Sequence, residues 1–109
     1  MPEKWDNQQS ESLFKAILRL KNLTEARSFF RDLLTPAEIA EFASRWEAAQ
    51  LLAEQVPYVI ISRRTGLSST TIARIAKWLK QGRGGYRLML QRLAAGHRHN
   101  SSFLEQGLG

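Results

Sequence analysis

Ser69, Thr70, Ala73, Arg74 and Lys77 stand at i, i+1, i+4, i+5 and i+8, a spacing that puts five side chains on one arc of a helix. Small side chains let a helix backbone come close to a base pair, and hydroxyls can donate or accept at base edges. Cations can meet phosphate or the acceptor edge of guanine. The complementary positions Ile72, Ile75, Ala76 and Leu79 give the same helix an apolar arc to anchor it in a core. Ahead of it, Ser62 is small enough for two helices to approach, Gly66 can take the positive φ of a tight turn, and Ile61, Thr65 and Leu67 occupy the inward offsets. Thr65 is the one weak fit among them. Tyr58 to Lys77 therefore reads as a helix-turn-helix with Ser68 or Ser69 capping its second helix. A plain glycine corner between two core helices is the competing interpretation of the spacing alone.

Charge separates the two. Between Gln55 and Leu104 there is no Asp or Glu, while nine basic residues fall there: Arg63, Arg64, Arg74, Lys77, Lys80, Arg83, Arg87, Arg92 and Arg98. Residues 1–54 hold seven Lys/Arg against nine Asp/Glu, and Glu105 brings the chain to its formal +6. A helical corner does not require fifty residues without an acid, and a positive field confined to one part of the chain is the electrostatic footprint of a polyanion-binding surface. On this basis Ser68, Ser69, Thr70 and Ala73 are expected to face base edges of double-stranded DNA, and Arg63, Arg64, Arg74, Lys77 and Lys80 to contact phosphate or guanine. The alternative from another class is a helical dimeric adaptor whose basic half meets an acidic protein or RNA.

These residues must be positioned by helices, for no strand alternation and no internal repeat is present. Residues 1–9 read as a flexible arm and 10–95 as one all-α domain. Leu13, Phe14, Ile17, Leu18 and Leu20 predict a first helix, and Ala26, Phe29, Phe30, Leu33 and Leu34 a second with Thr24 as its N-cap. Thr35-Pro36-Ala37-Glu38 is the strongest local signal: a capping box with proline at the first helical position, opening a long helix from about Pro36 to Glu54 or Gln55. Its apolar residues, Ile39, Phe42, Trp46 and Leu51 among them, wrap more than one face and suggest several neighbours. Gly82, Gly84 and Gly85 break the chain before a last helix, Tyr86 to Ala95, which offers Tyr86, Leu88, Met89, Leu90 and Leu93 to a core. Residues 96–109 lack apolar density and read as a disordered tail.

Composition narrows the remaining classes. A chain of 109 residues fits one domain, with oligomerisation a ready source of added stability. There is no cysteine, the N-terminal MPEKWDNQQSES lacks the apolar stretch of a signal peptide, and no apolar run is long enough to span a membrane. A cytoplasmic protein is expected. His97 and His99 flank Arg98 in the tail without carboxylate neighbours, so no metal site is expected. No Ser/His/Asp arrangement and no phosphate loop supports catalysis, so an enzyme is not expected. Phe29, Phe30, Trp46 and Trp78 could form an aromatic cage, yet their helical spacing assigns them to a core or a dimer interface.

Read together, LTPAEIAEFASRWEAAQLL and TGLSSTTIARI resemble the Trp repressor superfamily, and more closely its YerC/YecD branch. The similarity spans roughly Leu13 to Leu93 and is most specific at Leu34-Thr35-Pro36, at Arg45-Trp46-Glu47-Ala48-Ala49, and from Gly66 to Ile75. The resemblance implies about six helices, an interlocked homodimer, and two helix-turn-helix units set into successive major grooves of a pseudo-palindromic operator. It implies a transcriptional regulator, most often a repressor. Arg45 and Arg74 match the two arginines that sandwich the corepressor indole in Trp repressor proper, but Ile75 stands where those proteins keep a glycine. The segment from Arg45 to Gly66 is also one residue shorter. Both departures argue against tryptophan as the effector, so no cofactor is assigned.

Overall fold

Four helices of this chain start at side chains that stand in for missing backbone acceptors. A computed structural model describes residues 3–95, and among them six helices and no strand are present. Helix α1, Gln8–Ile17, opens on Asn7, whose side chain accepts from the Ser10 N–H at 3.0 Å while the Ser10 hydroxyl accepts from the Asn7 N–H at 3.0 Å. Serine thus does the reciprocal work usually given to Glu or Gln. The helix begins two residues inside the stretch read as an arm.

Helix α2, Leu23–Leu33, corrects the sequence reading of its start. Its N-cap is Asn22, which accepts from the Glu25 N–H at 2.9 Å, and Thr24 lies within the first turn. Asn22 already has the extended backbone a cap requires, and asparagine is at least as good a cap as threonine. The Glu25 carboxylate returns the favour one residue further back, accepting from the Lys21 N–H at 2.9 Å.

Helix α3, Pro36–Ala53, begins with the capping box expected of Thr35 and Glu38. The Glu38 N–H donates to Thr35 Oγ1 at 3.1 Å, and the Thr35 N–H donates to Glu38 Oε1 at 3.0 Å. That N–H, with the Thr35 hydroxyl, holds the Glu38 carboxyl below the usual carboxylate range. At its other end the helix stops just short of the expected Glu54. The Val56 N–H reaches Leu51 O at 3.0 Å and the Gln55 N–H reaches Leu52 O at 3.0 Å, a Schellman closure. It requires Gln55 at φ 63°, a left-handed position usually filled by glycine.

Helix α4, Tyr58–Thr65, and helix α5, Ser69–Gln81, form the helix-turn-helix, and residues 85–95 form α6. The expected tail, with His97, Arg98 and His99, lies outside the described residues.

The chain divides into two compact units, Met1–Ala40 and Glu41–Gly109. In the second, Ala48, Ala49, Leu51, Ile61, Ile72 and Ile75 make a buried core, with Trp46, Leu52, Val56, Leu67 and Tyr86 packed against it. Enclosing an isoleucine such as Ile61 or Ile72 contributes about 1.5–3 kcal/mol. Of the α6 residues expected to face a core, Tyr86 and Leu90 are half-buried, while Leu88, Met89 and Leu93 stay exposed. In the first unit neither α1 nor α2 buries a single side chain fully. Phe29 and Phe30 meet edge to face with centroids 5.5 Å apart and are half-buried, but Leu18 is 81% exposed.

Candidate nucleic-acid interface

The turn between α4 and α5 is held by hydroxyls. Gly66 takes φ 76°, and its N–H donates to Ser62 O at 2.8 Å. A Cβ at Gly66 would meet nothing within 4 Å, so the backbone conformation and not crowding demands glycine here. Ser62 Oγ donates to Leu67 O at 2.7 Å, while Thr65 Oγ1 donates to Ile61 O at 2.7 Å and accepts from the Leu67 N–H at 3.2 Å. Thr65, the weak fit by apolarity, is therefore satisfied at a half-buried position by closing two hydrogen bonds.

Ser68 starts α5. Its side chain accepts from the Thr71 N–H at 3.1 Å and donates to Thr71 Oγ1 at 3.0 Å, so between the two candidate caps Ser68 takes the role. Ser69 is left as the first helical residue. From there the helix sorts its faces: Ile72 and Ile75 are buried, Ala76 and Leu79 are half-buried, and Ser69, Thr70, Ala73, Arg74, Lys77 and Lys80 are exposed. Arg63 and Arg64 are exposed in the last turn of α4, where cations complement the negative pole of the helix dipole. The turn thus brings two cations of α4 and three of α5 to the surface of one unit whose inner arc is fixed by isoleucine. Such an arrangement can meet a polyanion with cations and offer small side chains to a groove.

Of the residues matched to a corepressor pocket, Arg45 is engaged on its own helix, with Nη2 2.8 Å from Glu41 Oε1. Arg74 is exposed. Ile75 is 3% exposed and belongs to the core with Ile61 and Ile72, so its side chain is a structural part of α5 packing. Among the described residues no cluster of His, Cys, Asp or Glu has the makeup of a metal site.

Two features of the site escaped sequence reasoning. The Trp46 and Tyr86 rings stack at 6.2 Å, which ties α3 to α6 within the second unit. Gly82, read only as a flexible break, sits so close to α5 that a Cβ would stand 2.4 Å from Trp78 O. The three nearby glycines look alike in sequence, yet Gly82 is held by crowding and Gly84 by its φ of 87°.

Residues 8–94 match the Trp repressor protein family. The chain belongs to that family. It falls in the YerC branch: the uncharacterised protein YerC of Bacillus subtilis (strain 168) is 37% identical over 100 residues, spanning 92% of this chain and 96% of YerC. Solved structures agree with the fold. A TrpR-like protein from Eubacterium eligens ATCC 27750 superposes with a TM-score of 0.79 at 42% identity, covering 84% of this chain and 94% of its own. A candidate Trp repressor from Staphylococcus aureus gives 0.78 at 30% identity, covering 85% and 96%. The all-α architecture expected from the sequence is therefore that of Trp repressor-like proteins, a family of helical DNA-binding regulators and not of enzymes.

Proposed function

We propose that the chain is a homodimeric, sequence-specific DNA-binding transcriptional regulator that reads the major groove with α5. The observation that carries this is the sorting of α5. One arc is locked into a core by Ile72 and Ile75, and the other presents Ser69, Thr70, Ala73, Arg74, Lys77 and Lys80 to solvent in a stretch without acids. Ser69, Thr70 and Ala73 face base edges, and Ser68 orients them as the cap and lies close to the same edges. Arg63, Arg64, Arg74, Lys77 and Lys80 contact phosphate or guanine.

The second copy is supported by apolar surface that one chain leaves open. In the first unit Phe14, Leu18, Leu23 and Leu33 are exposed, and in the second Phe42 and Trp78 are, each a large apolar side chain that a second copy can cover. Residues 10–95 then act as one domain in a cytoplasmic dimer, and two reading helices address two half-sites. No helix among the described residues is long and apolar enough to cross a membrane.

Binding to duplex DNA of random sequence and to fragments selected from genomic DNA, at two salt concentrations, tests this reading. A specific regulator keeps a large affinity ratio between the two, on the order of 10³ or more, and loses affinity for both as salt rises. Equal affinity for every duplex, or tighter binding to RNA or an acidic protein, would favour the adaptor. The effector is expected to differ from tryptophan, because Ile75 occupies the place of the family glycine as part of a packed core. Calorimetry with L-tryptophan should show no saturable micromolar binding; saturable binding would require Ile75 to yield, at about 1–3 kcal/mol.

A further inference from the structure

The last four residues of α5, Trp78 to Gln81, have carbonyl groups with no acceptor role inside the helix. Three of them are taken up from beyond its end. The Gly82 N–H donates to Trp78 O at 2.8 Å. Arg87, near the start of α6, turns one guanidinium nitrogen, Nη2, onto both Leu79 O at 3.1 Å and Lys80 O at 2.7 Å. The close passage at Gly82 lets the chain fold back at this distance, since a Cβ there would collide with Trp78 O. The outcome is a fixed positive charge at the negative pole of α5, supplied by the next helix.

We propose that Arg87 is a positioning residue that holds the C-terminal end of α5, and hence the presentation of Lys77 and Lys80, and that it is not one of the phosphate-contacting cations of the acid-free half. The proposal rests on the reading that α5 meets DNA. Arg87 counts with its neighbours in net charge, yet its geometry differs from theirs. To reach a phosphate with the same nitrogen it would have to abandon two carbonyls of the helix it supports. Lys80 has the most to lose, because its own carbonyl accepts the shorter of the two bonds and its side chain lies on the outward arc. If this turn frays, the ammonium group of Lys80 loses its fixed origin.

Full-length Arg87→Ala, Arg87→Lys and Lys77→Ala proteins separate the possibilities, with a random-sequence DNA duplex as the probe. For Arg87→Ala, affinity should fall about two- to fivefold, as for loss of an exposed charge–dipole contact, with the slope of log affinity against log salt preserved. Lys77→Ala should flatten that slope by up to about one unit. In the free protein, amide exchange at Gly82 and in the last turn of α5 should accelerate in Arg87→Ala, with Ile72 unchanged. Arg87→Lys keeps the positive charge but not the planar guanidinium, and should fall between wild type and alanine in both measurements. A flattened slope in Arg87→Ala would make Arg87 a phosphate contact, and unchanged exchange at Gly82 would remove the cap; either overturns the proposal. Absence of duplex binding by the unmodified protein would overturn the DNA reading and the positioning role with it, a failure told apart from loss of the cap by the exchange data, which need no DNA.

Discussion

The two compact units differ in what each buries by itself. In Glu41–Gly109 the side chains of Ile61 and Ile72 are wholly enclosed and the α4–α5 turn is closed by the hydroxyls of Ser62 and Thr65. In Met1–Ala40 the helices are just as well capped, yet α1 and α2 enclose no side chain and leave Phe14, Leu18, Leu23 and Leu33 exposed. Charge changes further along, within the second unit, from a slight acidic excess in residues 1–54 to the stretch from Gln55 to Leu104 without an acid. Good capping makes a helix; it does not make a core. The first unit has local order without a buried core, and the proposed dimer would supply its cover, whereas the second has both local order and a core of its own.

The contrast breaks most readily at the centre of the second unit. Ile72→Ala should cost about 2–5 kcal/mol in urea unfolding at any protein concentration, since the cavity lies within one chain. On the proposed dimer, Phe14→Ala in the first unit, beyond losing its edge-to-face contact with Trp5, should lower the unfolding midpoint by an amount that depends on protein concentration. Concentration-independent unfolding of the unmodified protein would refute the dimer. Next in size is recognition. Thr70→Ala should change base preference at one half-site position by about 1–3 kcal/mol with little change on random DNA, as read by competition binding. Equal losses on both would take Thr70 out of the reading face.

At the junction of α3 and α4 the expected effect is smaller and of opposite sign. Gln55→Gly should raise stability by up to about 1 kcal/mol, because glycine takes the left-handed φ without the Cβ penalty and only part of that gain is lost to backbone entropy. Thermal unfolding measures it, and a lowered midpoint would show that the Gln55 side chain contributes more than its backbone strain costs. Smallest is the pH effect at Glu38. Its carboxyl is depressed in the folded state, so the associated stability is present above the unfolded pKa and is lost as pH falls through the lower folded value. Titration followed by NMR should find Glu38 below other exposed glutamates, and Thr35→Ala should bring it back toward them.

Local chemistry that involves adjacent residues was legible in the sequence. Thr35, Pro36 and Glu38 announce a helix start because a cap needs a hydroxyl and a carboxylate at fixed offset, and Gly66 announces the turn because few other residues take its φ. Asn22 and Thr24 are both competent caps two residues apart, and only the path of the chain decided for Asn22. Gln55 gave no sign of a left-handed closure, since that position is normally advertised by glycine. Helical spacing identified which faces of α1, α2 and α6 are apolar, but not what covers them. Periodicity reports a face and not its partner. For the same reason Arg87 could be counted as a charge but not placed, because its two acceptors lie seven and eight residues back along the chain.

Leu67 lies between two helices, yet both its backbone groups are tied to side chains of α4: its N–H to Thr65 and its carbonyl to Ser62. The angle between α4 and α5 is therefore not a soft coordinate that a groove could adjust. Such a unit enters an encounter already in shape, so little ordering entropy is lost on contact and a mismatched surface is refused instead of accommodated. On the proposed DNA reading, discrimination would come from rigidity as much as from the chemistry of the side chains presented.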